Sequence, residues 1–201
     1  MANWHLTALQ VIVLAGPALA QKSWTDAAEF EFYARANSEL EPARQIEILL
    51  RWEKAYPNSE FRKEGIALLI IAYENAGSTA EAFARATELF GLDPTNIQGP
   101  FKIATLAPTL ESPSRDQMRI TEEAANHLLS RAAEIGRAAA RVAQTAPDTP
   151  PQQVFDPETE RVAALIRQWR RSKRVPSASD VEAEIKEVAE RALAWARSAS
   201  R

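Results

Sequence analysis

Residues 66–96 constrain the fold more than any other stretch, because they hold two apolar patterns of helix length separated by one glycine. On the first pattern Ile66, Leu69, Ile70 and Tyr73 recur at helical spacing, and on the second Ala82, Ala86 and Leu89 do the same. Gly77 between them can take the left-handed backbone conformation that ends a helix without a Cβ clash. Ser78-Thr79-Ala80-Glu81 directly after it has the spacing of a capping box, in which serine and glutamate satisfy each other's free backbone N–H groups. A helix that stops and restarts this quickly must double back. The spacing therefore predicts a tight antiparallel hairpin with its two stripes facing each other, and the alanines allow the backbones to approach closely.

The order Leu69, Tyr73, Gly77, Glu81-Ala82, then Leu92-Asp93-Pro94 and Asn96 resembles one unit of the tetratricopeptide repeat, a helix-turn-helix that stacks into a solenoid. It departs from the family pattern at Ile66, Ile70 and Leu89, where the family carries a Trp, a small residue and an Ala. The resemblance implies an all-α fold of helix pairs stacked as a short solenoid, with a concave surface lined by the first helix of each pair. Phe30, Ala34 and Asn37 from an earlier pair, with Glu64, Ala67, Ile71 and Glu74, would then line that surface, and exposed Phe30 and Ile71 would form a recognition patch. The implied partner is a protein or peptide. The basic-and-asparagine clamp with which some members hold a peptide carboxylate is not recognisable here.

The rest of the chain reads in the same terms. A helix is expected from Trp24 to Glu39, capped by Thr25 or Asp26 with acids in its first turn. Pro42 starts its partner, which carries Ile46, Leu49, Leu50 and Trp52 to Tyr56-Pro57-Asn58. From Pro57 to Pro94 is 37 residues, against about 34 in the family, so one helix should be slightly longer, with the extra residues near Glu60-Phe61-Arg62. A third pair begins with a short helix opened by Gly99-Pro100 and stopped near Pro108. Its second member is the longest helical stretch, from Ser114 to about Thr145, with Met118, Ala125, Leu128, Leu129, Ala132, Ile135, Ala139 and Val142 near helical spacing. That helix could project past the array, pack along the last pair or form a dimer seam, so the chain is a monomer or a homodimer.

The domain boundaries follow from composition. Residues 24–146 form the repeat-like domain, the proline-rich stretch 147–155 is a linker, and 156–201 is a C-terminal two-helix segment. Its first helix bears Val162, Leu165, Ile166 and Trp169, and its second bears Val181, Ile185, Val188, Ala192 and Trp195 behind a Ser177 or Ser179 cap. Two helices bury little alone, so they are expected to dock on the long helix or on a partner. Residues 1–20 have the layout of a secretory leader, with an apolar run, Gly16-Pro17 and a small-residue end at Ala18-Leu19-Ala20, although without Lys or Arg. The apolar run is shorter than the roughly 20 residues that span a bilayer. The chain has no Cys, which excludes lipid anchoring at a cysteine, disulfides and thiolate metal sites. The expected location is a periplasm or the cell exterior.

A net charge of −3 over 201 residues gives no overall attraction to nucleic acid. No glycine-rich phosphate loop, Gly-x-Ser-x-Gly elbow or His-Glu-x-x-His helix occurs. Beyond the leader His127 is the sole histidine, next to Glu122-Glu123, and it lacks a second imidazole or thiol with which to hold a metal. Glu29, Glu31, Glu64, Glu74, Glu122 and Glu123 are read as residues of solvated faces rather than as paired acids and bases. The sequence thus points to a non-enzymatic protein without cofactor or metal. One alternative surface is Arg167, Trp169, Arg170, Arg171, Lys173 and Arg174, which could meet anionic lipid or polymer at the envelope. Against this, bases collect at helix C-termini for reasons of the dipole alone, and the acidic helix that follows could neutralise them.

Overall fold

Asp26 opens the first helix, α1 (Ala27–Ser38), by accepting hydrogen bonds from the backbone N–H groups of Ala28 at 2.8 Å and Glu29 at 3.3 Å. The structure is a computed structural model that describes residues 26–145 and 177–199, and all regular elements among the described residues are helical. The leader, the linker at 147–155 and the helix expected around Val162 to Trp169 lie outside the described residues. Pro42 stands at the first position of α2 (Pro42–Ala55), where a missing N–H removes no helical bond. α3 (Arg62–Asn75) has 14 residues, the same as α2, and Glu60 and Phe61, expected to lengthen a helix, lie in the turn before it.

The reversal between α3 and α4 (Thr79–Leu92) is made by the main chain. Gly77 adopts a φ of +73°, Ser78 N–H reaches back to the Tyr73 carbonyl at 2.8 Å, and Gly77 N–H reaches Glu74 at 3.0 Å. These paired bonds satisfy the last carbonyls of α3 as a Schellman ending. The Ser78 side chain makes no capping bond, so the expected capping box does not form. Boxes do form elsewhere. Ser114 Oγ accepts from Gln117 N–H at 3.1 Å while the Gln117 side chain accepts from Ser114 N–H at 2.8 Å, which starts the long α6 (Arg115–Thr145). Ser177 and Asp180 repeat the exchange at 3.1 and 2.9 Å and start α7 (Ala178–Ala199). Between α4 and α6 lie α5 (Gln98–Leu106) and a turn of 3-10 helix, Ala107–Thr109, that contains Pro108.

Each helix packs on the next in sequence, and α7 lies along α6 while also touching α5. Three apolar clusters result. Tyr33, Ala36, Leu49, Trp52, Leu68 and Leu69 join α1, α2 and one side of α3. Ile66, Ile70, Ala82, Phe83, Ala86, Leu89 and Ile103 join α3, α4 and α5. Phe101, Leu128, Ile135, Val181, Ile185 and Ala192 join α5, α6 and α7. α3 therefore serves two cores, which explains why Ile66 through Ile70 is buried without a break. The expected single stripe of Ile66, Leu69 and Ile70 is corrected accordingly: Leu69 turns toward α2, and the two isoleucines turn toward α4.

Two further details position these layers. Gly99 sits against α4, where a Cβ would come 2.8 Å from the Phe90 amide nitrogen, so only glycine permits this approach. Leu50, expected on the buried stripe of α2, is 37% exposed, and Gln45 takes a buried place instead, donating to the Ala36 carbonyl at 2.9 Å. Of the three options open to the long helix, the structure shows it packed along α5 and α7.

Candidate functional site

The surface expected to receive a ligand begins on α1, where Phe30, Ala34 and Asn37 follow one another at helical spacing. Phe30 is partly buried, packed against the first core with its ring centroid 6.3 Å from that of Tyr33, so it is not the free recognition residue expected. Ala34 is partly exposed. Asn37 is partly buried, and its amide Nδ2 is enclosed with no hydrogen-bond partner among the described residues.

On α3 the four expected residues divide. Glu64 is partly buried, and Ile71 is partly exposed and belongs to none of the three apolar clusters. Ala67 is buried, and its carbonyl accepts a hydrogen bond from Gln98 Nε2 at 3.3 Å. Glu74 is engaged by Lys102, whose Nζ lies 3.0 Å from Oε1 and 2.7 Å from Oε2. Ala67 and Glu74 take part in contacts between helices: α5 brings Gln98 and Lys102, both buried, beside them. Sequence reasoning missed this pair of polar residues. The available signal was Lys102 itself, the only charged residue in an otherwise apolar or neutral run from Gln98 to Leu106, a placement that requires a carboxylate nearby if the lysine is buried.

Other ionisable groups are occupied in the same way. Glu29, expected on a solvated face, is buried and accepts from Trp52 Nε1 at 3.0 Å and from the Ser59 hydroxyl, which fastens α1 to α2 and to the turn before α3. Glu31 and Glu123 are exposed, and Glu122 is partly so. Arg85 grips both oxygens of Glu53 at 2.8 Å and also meets Glu88, whose other oxygen lies 2.9 Å from Arg62. This chain of charges links α2, α4 and α3. Although partial burial opposes it, hydrogen bonds from Arg62 and Arg85 leave the Glu88 carboxyl below its usual value.

No family model, curated protein or solved structure matches the chain. The functional reading therefore rests on the geometry of the chain itself.

That geometry gives His127 a structural partner set. Its ring lies edge-on to Phe90 with centroids 5.3 Å apart and hydrogen-bonds the Pro94 carbonyl. Burial and the adjacent Arg131 hold the imidazole below its ordinary pKa. Arg131 donates to the Thr95 carbonyl at 3.0 Å, so α6 grips the loop after α4 at two places. In the same loop Asp93 is bound by Lys63 at 2.7 Å and by Thr95, which lower its pKa to about 2. Among the described residues no three His, Cys, Asp or Glu side chains gather where they could hold a metal ion, and no helix is long and apolar enough to cross a membrane. The basic residues Arg167, Trp169, Arg170, Arg171, Lys173 and Arg174 lie outside the described residues.

Proposed function

We propose that this chain is an exported interaction scaffold of tetratricopeptide-like helix pairs, without chemistry of its own, that holds a peptide or protein partner on the surface of α1 and α3. Two features support the repeat-like architecture. Helix starts recur at similar intervals, from 27 to 62, from 42 to 79 and from 62 to 98, which are 35, 37 and 36 residues, close to the roughly 34 of the family. The second pair turns on a left-handed glycine, as that family's turn requires.

The observation that carries the reading is Ile71. It is a large apolar side chain on the first helix of a pair that stays partly exposed and outside every apolar cluster. Ala34 on α1 is partly exposed and supplies a small contact.

A displayed library of random peptides tests it. The wild-type chain should enrich a defined set of sequences, Ile71→Asp and Ala34→Glu should lose that set, and Leu92→Asp, at an exposed residue of α4, should retain it. Lack of enrichment, or equal enrichment by Ile71→Asp, would overturn the reading.

A further inference from the structure

A second concavity lies away from that surface, between α2, the turn after it and the start of α3. It has a volume of about 150 Å³ and is lined by Leu49, Trp52, Phe61, Gly65, Ile66 and Leu69 together with Glu53, Tyr56, Pro57, Ser59 and Arg62. Cavities of about this size with apolar walls hold a single benzene ring. Gly65 helps to create the space, since a Cβ there would rest 3.4 to 3.8 Å from the six-membered ring of Trp52 and any longer side chain would extend into the cleft.

The polar groups around the rim decide what can enter. Glu53 is held by both arms of Arg85, and Arg62, which is half exposed, gives one of its nitrogens to Glu88. The Ser59 hydroxyl donates to Glu29 and accepts from Phe61 N–H at 2.9 Å. The indole N–H of Trp52 is spent on Glu29, and the Tyr56 phenol is hydrogen-bonded to Asp26. A ligand with a charge, or with amide groups of its own, would lose its hydration there and gain few partners. A peptide side chain brings such amides with it. A free neutral ring does not.

We propose that the cleft between α2 and α3 is a binding site for a small neutral aromatic molecule of one ring, recognised by contact with Trp52, Phe61 and the leucines and not by hydrogen bonding. The site does not depend on the peptide-binding reading, because it uses none of the residues assigned to that surface.

Toluene is the probe, with benzoate and N-acetylphenylalanine amide as the charged and peptide-like comparators. In the full chain, toluene should shift the methyl resonances of Leu49, Ile66 and Leu69 saturably and raise Tm as its concentration rises. Benzoate and the amide should do neither. Gly65→Leu should abolish the response, and Gly65→Ala, which makes only ordinary contact with Trp52, should keep wild-type helicity while weakening binding severalfold. The proposal is overturned if the wild type shows no saturable shift, if Gly65→Ala leaves the affinity unchanged, or if the amide binds as tightly as toluene.

Discussion

Lys102 on α5 places its ammonium 2.7 Å from Glu74 Oε2 on α3 while only 5% of the lysine side chain meets solvent. The pair joins α5 to α3. Removing one member of a buried pair leaves the other without its counter-charge, whereas replacing both by apolar groups avoids that penalty.

We therefore predict that Lys102→Ala lowers stability by about 3 kcal/mol, and that the double change Lys102→Met with Glu74→Leu recovers most of the loss. Urea denaturation of the single and double variants measures this directly. Equal losses in both would mean that the pair is no more than an apolar spacer.

Gly136 faces the first turn of α7, where a Cβ would fall 2.3 Å from the Ala178 carbonyl oxygen. Gly136→Ala is expected to destabilise by about 1–3 kcal/mol, because the steric displacement exceeds the gain of about 1 kcal/mol in helix propensity. Hydrogen exchange should speed up in α7 and remain unchanged in α1. Gly91 supplies the opposite case: nothing stands within 4 Å of its missing Cβ, so Gly91→Ala should stabilise by up to about 1 kcal/mol.

Acid should weaken the hold of α6 on the loop at Asp93. The folded state lowers the His127 pKa from 6.5, so the unfolded chain takes up protons more readily and stability falls as pH drops below that value. Asp93 adds a second loss as pH falls from about 3.8 towards about 2. His127→Gln should flatten the first part of a plot of Tm against pH and leave the second intact. An unchanged profile would refute the assignment.

Glu184 on α7 acts with the opposite sign. Burial, reinforced by the charge of Glu187, raises its carboxyl to about 7, so the folded state retains a proton that the unfolded state releases near 4.5. Its contribution to stability is complete below pH 4.5 and disappears by about pH 7. Glu184→Gln should raise Tm at pH 8 and change it little at pH 4. A gain of equal size at both values would point to packing instead of titration.

The sequence makes legible whatever is decided within one turn of chain. Gly77 marks the hairpin, Ser114 and Ser177 mark helix starts, and Val181, Ile185, Val188 and Ala192 mark the buried side of α7, because backbone geometry and helical period are local properties. The Ser78 box failed even though its residue types were right, since the left-handed Gly77 had already committed Ser78 N–H to the Tyr73 carbonyl. The contacts of Ala67 and Glu74 with α5 were not legible for a different reason. Their surroundings are set by α5, more than twenty residues further along, and helical spacing on α3 says which residues share a side but not what will be laid against it. The cleft was invisible for the same cause: Trp52 and Gly65 meet only when α2 and α3 are side by side.

The position of α3 between two cores bears on any attempt to shorten the protein. A chain cut before Arg62 would strip the partners from Leu68, Leu69 and Ala72 while leaving Ile66 and Ile70 still clad by α4. What remained would be a folded remnant with one greasy wall bare to water, and such a remnant should self-associate long before it unravels.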